Sequence, residues 1–179
     1  MKKEDKKELV IYLSIIIAII VIRTFIVTPV RVSGNSMYPT LKNGEIMILN
    51  KITYKFNDIK RFDIVVVDRD GNKIIKRVVG LPGETLKYEN NKFYINDKEI
   101  EESYLKEETE DFNINELEYK KIPKDCYFVI GDNRDNSKDS RIIGCVTNKE
   151  IKGKANLVIY PFDKIGSRKW LKNFYFFWL

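Results

Sequence analysis

Histidine is absent from this 179-residue chain, and that absence removes more chemistry than any other feature of its composition. No Ser/His/Asp triad can be built, nor any metal site that needs imidazole. Cysteine is scarce: Cys126 and Cys145, 19 residues apart, cannot make a four-thiolate zinc site and are not a CxxC redox pair. Two readings of them stand side by side, small buried residues in strands or one disulfide formed outside the cytoplasm. The chain has 5 prolines and 9 glycines, and neither a Gly/Ser linker nor an internal repeat divides it, so its length fits one domain with a small second element at most. The net charge of +6 comes without a dense Lys/Arg block, a zinc finger or an RNA-reading signature, so nucleic acid is not an expected partner. An anionic membrane surface suits that balance better. If the chain is an enzyme, its acid–base group is Lys, Asp, Glu or Tyr.

What is present begins with an apolar run. Leu9 to Ile22 carries no charge, Arg23 interrupts it, and Phe25-Ile26-Val27 resumes it. A bilayer crossing needs about 20 residues, and Leu9 to Val27 supplies 19, with Arg23 near one end where its stem can snorkel to the headgroups. A cleavable signal would need small residues after its core, whereas this chain reads Thr24-Phe25-Ile26-Val27-Thr28-Pro29. The run is therefore expected to be a retained anchor at residues 9–27. Lys2, Lys3, Lys6 and Lys7 precede it, so the positive-inside rule places residues 1–8 in the cytoplasm and residues 28–179 outside.

Beyond Pro29 the chain turns β-branched. Strands are expected at Glu45-Leu49, Ile64-Asp68, Lys73-Val79, Lys92-Ile95, Tyr127-Ile130, Ile142-Thr147 and Leu157-Tyr160. Asn96-Asp97 suits a tight hairpin. The fold class is thus mainly β, a single N-terminal transmembrane helix followed by a β-rich domain. The carboxylate-rich stretch Glu101-Asp111 reads as a solvated insertion; its S-x-x-K match at Ser103-Lys106 lacks the partner motifs and is set aside.

Three segments hold candidate chemistry. In Val32-Ser33-Gly34-Asn35-Ser36-Met37-Tyr38-Pro39-Thr40-Leu41, Ser36 either forms a turn or presents its hydroxyl beside free backbone N–H groups. In Lys73 to Glu84, period-two alternation puts Lys76 with Ile74 and Val78, and Arg77 with Ile75 and Val79. Either one cation shares an apolar face or the strand is an edge with both solvated. A lysine among apolar groups loses hydration of its charged form, and its pKa falls towards that of a usable base. The third, Gly131-Asp132-Asn133-Arg134-Asp135-Asn136-Ser137-Lys138-Asp139-Ser140-Arg141, fails the calcium-loop pattern in two registers. It reads as a polar loop stapled by Asp–Arg pairs.

Each segment is ambiguous by itself; their order and wording are not. SGNSMYPT, RFDIVVV, KRVVGLPGE and GDNRDNSKDSR, following an N-terminal anchor, resemble the four boxes of bacterial type I signal peptidases. The resemblance runs from about Arg23 to Gly166 and includes Tyr160-Pro161 and Ile165-Gly166. It implies a Ser/Lys serine endopeptidase that removes signal peptides from exported preproteins after small-x-small motifs, without cofactor or metal. Ser36 would be the nucleophile and Lys76 the general base. Ser137 would orient the lysine amine, with Asp139 and Arg141 as a supporting ion pair. The implied fold adds a smaller β subdomain at about residues 85–122, and the implied partners are preprotein signal peptides and the phospholipid membrane. Where some members have a serine that helps hold the oxyanion, this chain has Gly34, so backbone N–H groups would serve, that of Ser36 first.

Two rivals are weaker. A Ser/Lys self-cleaving regulator would carry a DNA-binding unit and an Ala-Gly or Cys-Gly bond, and neither dipeptide occurs. A non-catalytic anchored β-domain would have no need of Ser36 or Lys76. For Lys76 to work as a base, no carboxylate should pair with it, Asp139 should be occupied by Arg141, and Arg77 would add repulsion if close. The aromatic tail Trp170-Leu179 suits either the membrane interface or a terminal strand.

Overall fold

The computed structural model describes residues 3–105 and 108–162; the aromatic tail lies outside them. Helix α1 (Lys3–Val21) continues into a π-helical turn, Ile22–Ile26. Its apolar side chains from Leu9 to Val21 are exposed, and Asp5–Ile26 is long and apolar enough to cross a membrane. Helical carbonyls freed at its end are taken up locally. Lys51 Nζ donates to the carbonyls of Thr24 at 2.9 Å and Arg23 at 3.5 Å, and Thr28 Oγ1 donates to that of Arg23 at 2.8 Å. Val27, read from sequence as the last anchor residue, is instead the first residue of strand β1.

The larger sheet contains β1 (Val27–Arg31), β2 (Ile46–Asn50), β3 (Ile64–Arg69), β4 (Asn72–Gly80), β9 (Cys126–Ile130), β10 (Val146–Thr147) and β11 (Ile151–Tyr160). Its order is β1-β2-β11-β3-β4-β9-β10, with every pair antiparallel. A second sheet, in order β7-β6-β5-β8, holds β5 (Leu86–Glu89), β6 (Lys92–Ile95), β7 (Lys98–Ile100) and β8 (Phe112–Asn113). Short helices α2 (Thr53–Phe56) and α3 (Ser140–Ile143) punctuate the strands. The fold is mainly β, as the residue pattern indicates.

Turn chemistry sets the registers. Asn96 and Asp97 have φ of 48° and 62° in the β6–β7 hairpin, as two-residue turns of this hand require. Asp70-Gly71 between β3 and β4, and Asn90-Asn91 between β5 and β6, do the same. The expected strand Ile142-Thr147 is not continuous. Asp139 caps α3 by accepting from the Arg141 N–H at 3.3 Å, so Ile142 and Ile143 enter a helical turn. Pairing with β9 resumes only at Val146. Cys126 and Cys145 are joined as a disulfide, with Cα atoms 5.6 Å apart, closing the base of the arm that carries residues 131–141.

Strand β11 is the joint of the larger sheet, for it alone links β2 to β3. It changes register at Gly153, whose φ is 151°. A Cβ there would lie 2.2 Å from the Asn50 carbonyl oxygen, so both backbone conformation and space demand glycine. Gly153→Ala should destabilise the domain by about 2–4 kcal/mol, combining overpacking with backbone strain. Gly71→Ala, where no atom lies within 4 Å, should cost only about 1 kcal/mol. Paired thermal melts check this, and equal losses would contradict it.

Candidate active site

The loop carrying Ser36 leaves β1 and returns to β2 through a closed neck. Val32 N–H donates to Glu45 O at 2.7 Å and Gly44 N–H to Val32 O at 2.9 Å. Val32, Met37 and Leu41 are buried with Met47, Leu49 and Val66, so the hydrophobic core fixes the residue next to Ser36. Ser36 itself is half-buried. Gly34 has φ of 84°, and its N–H donates to Asn43 Oδ1 at 3.0 Å. That N–H is therefore engaged, while no acceptor among the described residues takes the N–H of Ser36.

Lys76 lies on β4 opposite Val65 and is 3% exposed. Burial pulls its pKa from 10.5 to about 8; nearby Asp139 and Asp132 oppose that shift, and Arg141 assists it. Among the described residues, no carboxylate lies within ion-pair distance of its amine. Asp139 is fully buried and turned to Arg141, accepting from its Nε at 2.9 Å and its Nη2 at 3.0 Å. Arg77 is buried too, but its guanidinium is held by Asp132 at 2.8 and 2.6 Å. The repulsion expected from Arg77 therefore comes from Arg141 instead.

The 131–141 loop meets the Ser36 loop at two points. Asn133 N–H donates to the Ser36 carbonyl at 3.0 Å. Gly131 faces the same carbonyl and Ser137 so closely that a Cβ would lie 2.4 Å from Ser36 O and 2.2 Å from Ser137 Oγ. Ser137 Oγ is buried without a hydrogen-bond partner. An unpaired buried hydroxyl costs about 1–3 kcal/mol. Backbone packing thus brings Ser36 and Ser137 together, and the charges of Asp139, Arg141 and Asp132 act on Lys76. No cluster of His, Cys, Asp or Glu suited to a metal occurs among the described residues.

Sequence reading missed several contributors. Glu102, assigned to a solvated insertion, has a side chain only 6% exposed, and it pairs with Arg134. Thr109 of the same stretch is buried. Their clue was Arg134 itself, whose partner is Glu102 of the acidic stretch and not an aspartate of its own loop.

The family model described as "Signal peptidase, peptidase S26" matches residues 6–160. Signal peptidase I P of Bacillus subtilis subsp. natto is 41% identical over 163 residues, covering 86% of this chain and 88% of that protein. Signal peptidase I S of Bacillus subtilis is 39% identical, covering 87% and 88%. The crystal structure of a signal peptidase I from Enterococcus faecalis superposes with a TM-score of 0.53 at 36% identity, covering 56% of this chain and 98% of that one. The chain belongs to the signal peptidase family of serine peptidases, peptidase S26.

The buried lysine has a stability consequence. At pH 7 Lys76 is protonated in the unfolded chain, but the folded state disfavours that proton. The penalty is present below pH 8, shrinks as pH rises through it, and is gone above 10.5. Its size is on the order of 3 kcal/mol. Lys76→Met should therefore raise Tm at pH 7, with a gain that fades towards pH 10. A gain that is the same at both pH values would contradict the assignment.

Proposed function

We propose that this chain is a membrane-anchored endopeptidase that cuts signal peptides from exported preproteins through a Ser36/Lys76 dyad. The observation that carries the reading is Lys76, buried without a carboxylate partner among the described residues, while Asp139, the acid that acts on it most strongly, is occupied by Arg141. An amine so placed titrates near 8, so near physiological pH a minor but appreciable fraction is neutral and can accept the Ser36 proton.

Ser36 Oγ attacks the carbonyl carbon of the scissile bond as its proton passes to Lys76 Nζ. The Ser36 N–H is the first donor to the developing oxyanion. Collapse of the tetrahedral intermediate expels the new N-terminal amine, which takes the proton from Lys76 and leaves an acyl-serine. Water, deprotonated by Lys76, then releases the signal peptide. Ser137 Oγ, unpartnered among the described residues, turns to the lysine amine during the reaction, and Asp139 with Arg141 hold the loop that carries it. An open depression of about 410 Å³, lined by Asn35, Tyr38, Lys42, Asn43, Asn133 and Asn136, includes the residue before the nucleophile and can admit an extended polypeptide.

Residues 1–8 are cytoplasmic, residues from Leu9 to Ile26 form the anchor and the chain from β1 onward faces outward, with about 85–122 as a smaller β unit. The lysine-rich start supports that direction. Protease added outside right-side-out vesicles should digest beyond Val27; protection of that part with loss of the N-terminus would invert the topology.

Cleavage of a synthetic precursor with an Ala-x-Ala site tests the chemistry. Ser36→Ala, Lys76→Arg and the double variant should lose activity to a similar extent, because each removes one covalent route. Wild-type kcat/KM should rise through an apparent pKa near 8. A Lys76→Arg enzyme with more than about a tenth of wild-type rate would refute the base assignment, since arginine stays protonated.

A further inference from the structure

The strap from Glu101 to Asp111 takes no part in the chemistry above, yet one of its carboxylates is deeply embedded. Glu102 accepts from Arg134 Nη2 at 2.8 Å and Nη1 at 3.3 Å. It also accepts from the Tyr88 hydroxyl at 3.2 Å and from the Tyr104 hydroxyl. Buried carboxylates persist where charge and hydrogen bonds compensate them, and here one guanidinium and two phenol hydroxyls converge on Glu102. Burial and the neighbouring Glu102 charge hold the Tyr104 phenol well above its ordinary pKa. Burial does the same for Tyr88, so both remain donors.

Arg134 is the second link. Its side chain is 1% exposed, and it donates to Thr109 Oγ1 at 2.9 Å and to the Gly131 carbonyl at 3.1 Å. Its own carbonyl accepts from Arg141 Nη2 at 2.7 Å, the same nitrogen that lies 3.0 Å from Asp139 Oδ2. A continuous path therefore runs from Glu102 through Arg134 and Arg141 to Asp139. The strap grips the loop again through Tyr104, whose ring lies 3.8 Å from the Arg77 guanidinium carbon. That guanidinium is held by Asp132.

We propose that Glu102 is a positioning residue of the peptidase: by anchoring Arg134 it keeps Arg141 on Asp139, and so keeps Asp139 away from Lys76. The inference rests on the Ser36/Lys76 reading. The charged groups acting on Lys76 are Asp139 and Asp132 from the 131–141 loop and Arg141 from α3; its register partner on β3 is the uncharged Val65. Loss of the Glu102 charge frees Arg134, withdraws its carbonyl from Arg141 and lets that cation move towards solvent. Lys76 then loses a repelling cation and gains an unscreened carboxylate. Both changes favour its protonated form, so the acid limb of the activity profile moves to higher pH.

The test uses the full chain in detergent with the Ala-x-Ala precursor, measuring kcat, KM and the pH dependence of kcat/KM. Glu102→Gln should lower kcat at pH 7 by about threefold or more with KM held within about twofold, and should move the acid limb upward by about half a pH unit or more. Tyr104→Phe, which keeps the ring over Arg77 but removes one donor, should shift the limb in the same direction by less. Glu99→Gln, which removes an exposed charge paired with Lys92 at 3.0 Å, should change neither. A Glu102→Gln enzyme with wild-type kcat and limb overturns the proposal, as does a lost rate with an unmoved limb. If Glu102→Gln does not fold, an unmoved limb in Tyr104→Phe overturns it. A wild-type chain that fails to cleave would instead sink the dyad reading on which the proposal stands.

Discussion

An amine enclosed by strands and denied a carboxylate is the constraint on which the rest of this structure turns. Protonated lysine in such a place is destabilised by lost hydration, and proteins ordinarily relieve this by pairing it with Asp or Glu. Here the acid in range, Asp139, has its two oxygens turned to Arg141 and to the Gly131 N–H at 3.1 Å. Lys76 feels the carboxylates of Asp139 and Asp132 against the guanidinium of Arg141, and burial outweighs them all in setting its protonation. A site without histidine thereby acquires a group that titrates near neutral pH.

Holding that arrangement takes most of the larger sheet. β4 presents Lys76 and Arg77 to opposite faces near its buried end, so one strand supplies both the candidate base and the cation that locks Asp132. β9 pairs with β4 through Arg77↔Ile130 and Val78↔Val129 and delivers the 131–141 loop to the same edge. β11 joins this half of the sheet to β2, behind the loop of Ser36. Buried Met37 and the Asn133–Ser36 backbone bond then complete the approach from the other side. The site is thus assembled from segments more than a hundred residues apart, with buried arginines as its fasteners.

How much of this could be read from the residues depends on whether the cause is local. The β class, the apolar helix and the Asn96-Asp97 turn were legible because alternation, length and positive-φ residues are local signals. The alternation in Lys73 to Val79 placed Lys76 beside Ile74 and Val78, but it could not show that Arg77 is buried as well. That depends on Asp132, 55 residues later. Ile142-Ile143 looked like a strand because its apolar pair outweighed the cap supplied by Asp139. Glu102 was unreadable because a carboxylate in an acidic run looks solvated until the arginine that claims it is known. Two cysteines 19 residues apart fit both buried thiols and a disulfide, and the register of β9 with β10 brings them together as a disulfide.

The central claim is that the folded environment makes Lys76 neutral at a pH where lysine is ordinarily charged. The direct measurement is an NMR titration of the Lys76 side-chain amine in the folded, anchored chain, with the resonance assigned by its disappearance in Lys76→Arg. The account predicts a midpoint near 8. A midpoint at the ordinary value of about 10.4 would contradict it.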